Sequence, residues 1–139
     1  MSQTWQNIIV VLIVVLFIGV VAFVKSQEVS SQVSILDIET NGLPLFLEVG
    51  SDTCVPCVAM EEVLEELRRN YESVLVVEFL HAKNSEQVQQ LGIHAIPTQV
   101  FYDENGKEFS RHTGYIGADD IVSIFLENGI DLQKRKSSS

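Results

Sequence analysis

Cysteine is nearly missing from this chain of 139 residues: there are two, Cys54 and Cys57, three positions apart. A disulfide scaffold in a small secreted domain uses more pairs over longer spans. A bridge across so short a loop restricts the unfolded chain little. The two sulfurs therefore point to chemistry more than to a structural staple. Basic residues are also few, nine against 19 acidic, for a net charge of -10. Only Lys25 of the nine precedes residue 26, so 8 basic against 19 acidic residues leave -11 on the remainder. Such a surface repels nucleic acid and anionic lipid, which argues against either as a partner. The histidines are His81, His94 and His112, none at a ligand-like spacing to the cysteine pair. A structural zinc site wants four ligands, so no metal and no other cofactor is expected. No internal repeat is present.

Polar residues are missing altogether from Ile8 to Val24, a run of 17. As a helix it spans about 25 Å, and about 30 Å if extended back to Trp5, enough for a hydrocarbon core. Trp5 suits one interface and Lys25 closes the other end. A buried core helix would fill the same pattern, but this one has no polar face to show solvent. No good small-x-small site comes after it, Ala22-Phe23-Val24 being a poor match, and no cysteine is there to take a lipid. Residues 1–25 are thus expected to be an uncleaved single-pass anchor that meets the membrane through residues 5–24. Lys25 taken alone favours a cytoplasmic domain. Single-span anchors at the N-terminus usually export the domain behind them, so the extracytoplasmic side is the expectation.

Residues 26–34 are Ser/Gln-rich and read as a linker. A domain over 35–132 and a polar tail over 133–139 complete the chain. Leu45 to Val49 reads as a buried strand that Gly50 ends. Ser51, Asp52 and Thr53 offer cap-type side chains before a helix. That helix, Val55 to Asn70, sets Met60, Val63, Leu64, Leu67 and Tyr71 at helical spacing. Val74 to Leu80 is a second strand. Ser85 to Leu91 is a short helix stopped by Gly92. Thr98 to Tyr102, a turn at Asp103 to Gly106, and Lys107 to Thr113 form a hairpin. Ala118 to Asn128 is a last amphipathic helix. A βαβ crossover, a hairpin and a closing helix make an α/β sandwich with a mixed central β-sheet flanked by helices.

Cys54 falls at the start of the long helix. Unpaired N–H groups and the positive end of the helix dipole favour an anion there. A free cysteine has a pKa of about 8.5, and such a setting lowers it. Cys57, one turn inside, lies beside it and is less exposed. Cys54 is then the nucleophile on a substrate disulfide, and Cys57 resolves the mixed disulfide. Pro56 fits the first helical turn and stiffens the loop. With Val55 it is expected to meet the substrate. No histidine lies between the cysteines, which leans toward a reductant.

Leu45 to Cys57, the later Ile96-Pro97-Thr98 and Gly114 together resemble the thioredoxin family, over about Pro44 to Ile130. The resemblance implies a thioredoxin-like fold, and the apolar run before it is expected to add one N-terminal transmembrane helix. It implies a redox disulfide Cys54–Cys57. It implies a cis peptide bond at Pro97, facing the dithiol, with Ile96 offering backbone groups to an extended substrate. The family carries a buried carboxylate, usually Asp, where Glu48 stands. Burial raises its pKa toward neutrality, so that it accepts the proton of Cys57; a solvent-facing strand residue is the plainer reading. Thr53 and Val55 replace the family's usual Trp and Gly, and Val58 its frequent Lys. Tyr71, Tyr102, His81, His94, Arg111 and His112 read as packing or surface groups.

The resemblance implies a protein-disulfide reductase acting on disulfide-containing proteins. Anchored relatives of this kind draw electrons from a polytopic membrane thiol-transfer protein and serve disulfide reduction or cytochrome c biogenesis. Tethering raises the effective concentration at such a partner. Three other readings of the same residues stay open: an oxidase or isomerase of the same fold, a thiol-based copper chaperone, and a non-catalytic adaptor that docks peptides.

Overall fold

The computed structural model describes residues 9–10, 12–21 and 38–133. Residues 12–21 are helical and expose apolar side chains, Leu16 and Phe17 most of all. Among the described residues no helix is long and apolar enough to cross a membrane. Trp5, Ile8, Val11 and residues 22–25, which complete the expected anchor, lie outside the described residues. So do the linker at 26–34 and residues 134–139 of the expected tail.

The ordered elements are β1 (Leu45–Gly50), α1 (Val55–Tyr71), β2 (Val76–His81), α2 (Ser85–Gln90), β3 (Thr98–Tyr102), β4 (Glu108–Thr113) and α3 (Ala118–Glu127). The four strands form one sheet in the order β2-β1-β3-β4. β1 is parallel to β2 and antiparallel to β3, and β3 is antiparallel to β4. The sheet is mixed because α1 carries the chain back over one face, whereas a tight turn joins β3 to β4. In that turn the Asp103 carboxylate accepts the N–H groups of Asn105 and Lys107, both at 2.9 Å.

Strand alternation sorts the core into two layers. Phe46, Val77 and Phe101 face α1 and α3, where they meet Met60, Leu64, Leu67, Ile121 and Phe125. Leu45, Leu47, Val49, Val100 and Tyr102 face the other way, onto Leu91 and Ile93. The first layer is tied by aromatic contacts: Phe101 stands 5.2 Å from Phe46 and 5.4 Å from Phe125, ring centre to ring centre. α1 buries the Met60, Val63, Leu64, Leu67 and Tyr71 stripe expected from its spacing. Each buried aliphatic side chain contributes about 1.5–3 kcal/mol. This packing, more than helix propensity, fixes where α1 begins.

Several boundaries differ from the sequence reading by a residue or two, and three of the differences have a clear local reason. β2 starts at Val76, not Val74, because Val74 and Leu75 donate their N–H groups to the Tyr71 carbonyl and close the end of α1. β4 starts at Glu108 because Lys107 is held in the turn by Asp103. Gln133, read as tail, donates its side-chain amide to the Tyr71 hydroxyl and belongs to the domain.

Candidate active site

The C-terminal end of β1 leads through Ser51–Thr53 into α1. Cys54 is the N-cap residue of α1, with extended backbone angles and no side chain capping the helix. The cap-type residues before it are engaged elsewhere, contrary to the sequence expectation. The Ser51 and Thr53 hydroxyls bond each other at 3.0 Å. Asp52 bonds His81 Nε2 at 3.2 Å. The Lys83 N–H donates to His81 Nδ1 at 3.1 Å, so Nε2 carries the ring proton and donates to Asp52. These bonds hold the loop before the dithiol to the end of β2. They also leave the positive end of α1 to the Cys54 sulfur.

Cys54 and Cys57 are joined by a disulfide, with their Cα atoms 5.2 Å apart. Cys54 is half-buried, whereas Cys57 is only 4% exposed. One sulfur meets solvent and the other meets the sheet. Val55 between them is 82% exposed, and Pro56 occupies the first turn of α1. Cys57 packs where β1 ends. A methyl group on Gly50 would lie 3.3 Å from Cys57 Cβ and 3.1 Å from the Phe79 ring. Glycine at this point lets the first turn of α1 sit down on the strand.

Glu48 lies two residues earlier on the same face of β1, and it is fully buried. Burial is the main cause that lifts its carboxyl from an ordinary 4.5 to about 7; a hydrogen bond from Gln99 acts against this. A carboxyl so placed exchanges a proton near neutrality, as a proton acceptor for a neighbouring thiol must. Gln99 is its direct cross-strand partner on β3, and Gln99 Nε2 donates to Glu48 Oε2 at 2.8 Å.

The Ile96–Pro97 bond is cis. Pro97 immediately precedes β3, and the register that pairs Val49 with Thr98 sets it at the same end of the sheet as Gly50 and the dithiol. Its carbonyl accepts the Gly114 N–H at 2.9 Å. The Thr98 hydroxyl donates to the Ala95 carbonyl at 2.8 Å and lies 3.2 Å from the Thr113 hydroxyl. Ile96 is half-buried beside this anchored proline. Cys54, Val55, Pro56, Cys57, Glu48, Ile96 and Pro97 thus all stand at one end of the sheet. This arrangement can exchange thiols and disulfides at Cys54 and Cys57, with a buried carboxyl on the same face of β1.

Gln99 does not stand out in the sequence, nor does His112 as its neighbour. His112 is the β4 register partner of Gln99, and its Nε2 is buried. The available signal is one amide inside the apolar run Thr98 to Tyr102. Only the strand register shows that it faces Glu48.

Comparison with known proteins gives the same picture. A family model described as a thioredoxin-like domain matches residues 32–128. The chain is 28% identical over 95 residues to a "Thiol:disulfide interchange protein DsbD" of Campylobacter jejuni, covering 62% of this chain but 16% of that protein. It is 26% identical over 84 residues to a "Thioredoxin" of Chlamydia caviae, covering 60% of this chain and 81% of that one. Its fold is similar to that of oxidised thioredoxin O2 from Arabidopsis thaliana, with a TM-score of 0.55 and 19% identity over 67% of this chain and 81% of that one.

The raised pKa of Glu48 has a thermodynamic consequence. Between pH 4.5 and about 7 the folded chain keeps a proton that the unfolded chain has lost. Stability then falls as pH rises through that window and levels off above it. The full window is worth about 3 kcal/mol at most. Glu48→Gln cannot ionise, so it is expected to gain stability over the wild type as pH rises from 4.5 to 7. Urea unfolding of both proteins across this range checks the point; parallel curves would contradict a buried, titrating Glu48.

Proposed function

Given that the chain belongs to the thioredoxin-like family, we propose that it is a membrane-tethered oxidoreductase that reduces protein disulfides through Cys54 and Cys57. One observation carries this reading: a half-exposed sulfur at an uncapped helix N-terminus is bonded to a buried sulfur one turn inside. In the reduced state the Cys54 thiolate attacks one sulfur of a substrate disulfide. That S–S bond breaks, one substrate sulfur leaves as a thiolate, and a mixed disulfide forms. Cys57 gives its proton to Glu48 and attacks Cys54 Sγ. The second substrate thiolate leaves, and the Cys54–Cys57 disulfide remains. Two electrons have passed to the substrate, and the oxidised pair is the state seen here.

Direction is set by the surroundings of the sulfurs. Val55 and Pro56 bring no charge or imidazole between them, so the thiolate is stabilised chiefly by the helix end. A thiolate without extra stabilisation makes the disulfide the favoured form, which is the character of a reductant. The apolar run Ile8 to Val24, helical over residues 12–21, supports a tether. The domain then faces the extracytoplasmic side, as is usual after a single N-terminal span. The similarity to a thiol:disulfide interchange protein supports a polytopic membrane thiol-transfer protein as the electron donor.

Equilibration of the Cys54–Cys57 couple with a glutathione buffer is expected to give a potential near about -270 mV. A value near about -120 mV would instead make the protein an oxidant. Cys54→Ser should abolish reduction of a protein disulfide, and a cellular function that survives intact in that variant would favour a docking role. For the tether, a membrane-impermeant thiol reagent applied to intact cells should label Cys54 once it is reduced. Labelling only after the cells are opened would place the domain in the cytoplasm.

A further inference from the structure

Glu48 and Gln99 make an expensive pair. Both are fully buried, on the central strands of the sheet, in a layer otherwise built from Phe46, Phe101 and the apolar stripe of α1. Two apolar side chains of similar volume would serve packing as well or better. The geometry of the pair is specific. Gln99 faces Glu48 directly across the β1–β3 ladder and donates to Oε2 at 2.8 Å. Glu48 Oε1 has no hydrogen-bond partner among the described residues, and neither has Gln99 Oε1. One carboxyl oxygen is held and the other is left to exchange.

We propose that Gln99 is a positioning residue for the resolution step: its amide pins Glu48 Oε2, so that Oε1 is the atom that takes the proton of Cys57. The role rests on the reductase reading above. It has a simple chemical advantage. Gln99 donates, so a proton arriving on Oε1 leaves the 2.8 Å bond to Oε2 intact. The carboxyl then passes between its charged and neutral forms without turning over. Gly50 lies two residues from Glu48 on the same face, and Cys57 packs against it, so the Glu48 side chain is on the side of the strand that the dithiol helix covers. The titratable groups on this face of the elements around Glu48 include Cys57 on α1, His112 on β4 next to Gln99, and His81 on β2, which pairs with Gly50 and is bonded to Asp52. The β2 register partner of Glu48 is Phe79, which carries no charge.

The test uses Gln99→Met, which keeps length and removes the donor, with Gln99→Leu as a second variant should the first fold poorly. The Glu48 carboxyl is titrated in the oxidised full-length protein by infrared or carboxyl-carbon NMR. Losing a hydrogen bond to the charged form should raise the midpoint by about one pH unit. Resolution is measured separately, by reacting the reduced protein with a synthetic disulfide-linked peptide and monitoring decay of the mixed disulfide. At pH 7 it should slow about fivefold, the fall in carboxylate fraction that such a rise produces. In a Glu48→Gln background the same substitution should change nothing further. An unmoved midpoint in both variants overturns the proposal, as does equal slowing in the Glu48→Gln background. A wild-type chain that forms no mixed disulfide at Cys54 would instead sink the reductase reading, and the role of Gln99 with it.

Discussion

The seating of the first turn of α1 on the end of β1 governs the rest of the site. Cys57 approaches the strand at Gly50 more closely than a side chain there would permit without movement. The force behind the seating comes from further along the helix, where Met60, Leu64 and Leu67 bury against Phe46 and its aromatic neighbours. Once the helix is down, three consequences arise together. Cys57 loses solvent, Cys54 keeps it, and the positive end of the helix points at the sulfur that must carry charge. A dithiol on a flexible loop would have none of this asymmetry.

The same seating removes water from Glu48. A carboxyl in the apolar layer between sheet and helix is costly to ionise, and its proton affinity rises to the range where thiol chemistry needs a partner. Stability is given up for this. The chain keeps an ionisable group on a central strand of its sheet, and a glutamine beside it, where hydrocarbon would pack as well. Natural sequences depart from packing rules mainly at functional sites, which accords with the proposed role of this face of the sheet.

Much of this is legible in the sequence because it depends on local pattern. The stripe from Met60 to Tyr71 fixes α1, β-branched runs fix the strands, and two cysteines at the start of a helix identify the chemistry. The features that are not legible depend on register or on competition for hydrogen bonds. Ser51, Asp52 and Thr53 look like caps, yet they pair with one another and with His81, whose position beside Gly50 comes from the β1–β2 ladder. Gln99 meets Glu48 across 51 positions of chain, and no local pattern shows that. The expected anchor is read from composition; residues 12–21 add a helix with an apolar surface. The thioredoxin and the interchange protein match similar shares of this chain at similar identity. The likeness fixes the family and the fold.

The central claim is a division of labour between two sulfurs three residues apart. It is tested most directly by stopping the reaction of the reduced protein with a disulfide-linked peptide in acid, alkylating free thiols, and mapping the adduct by mass spectrometry. The account predicts the peptide on Cys54 and the alkyl group on Cys57 at the earliest times. Peptide attached first to Cys57, or spread equally over both, would contradict it.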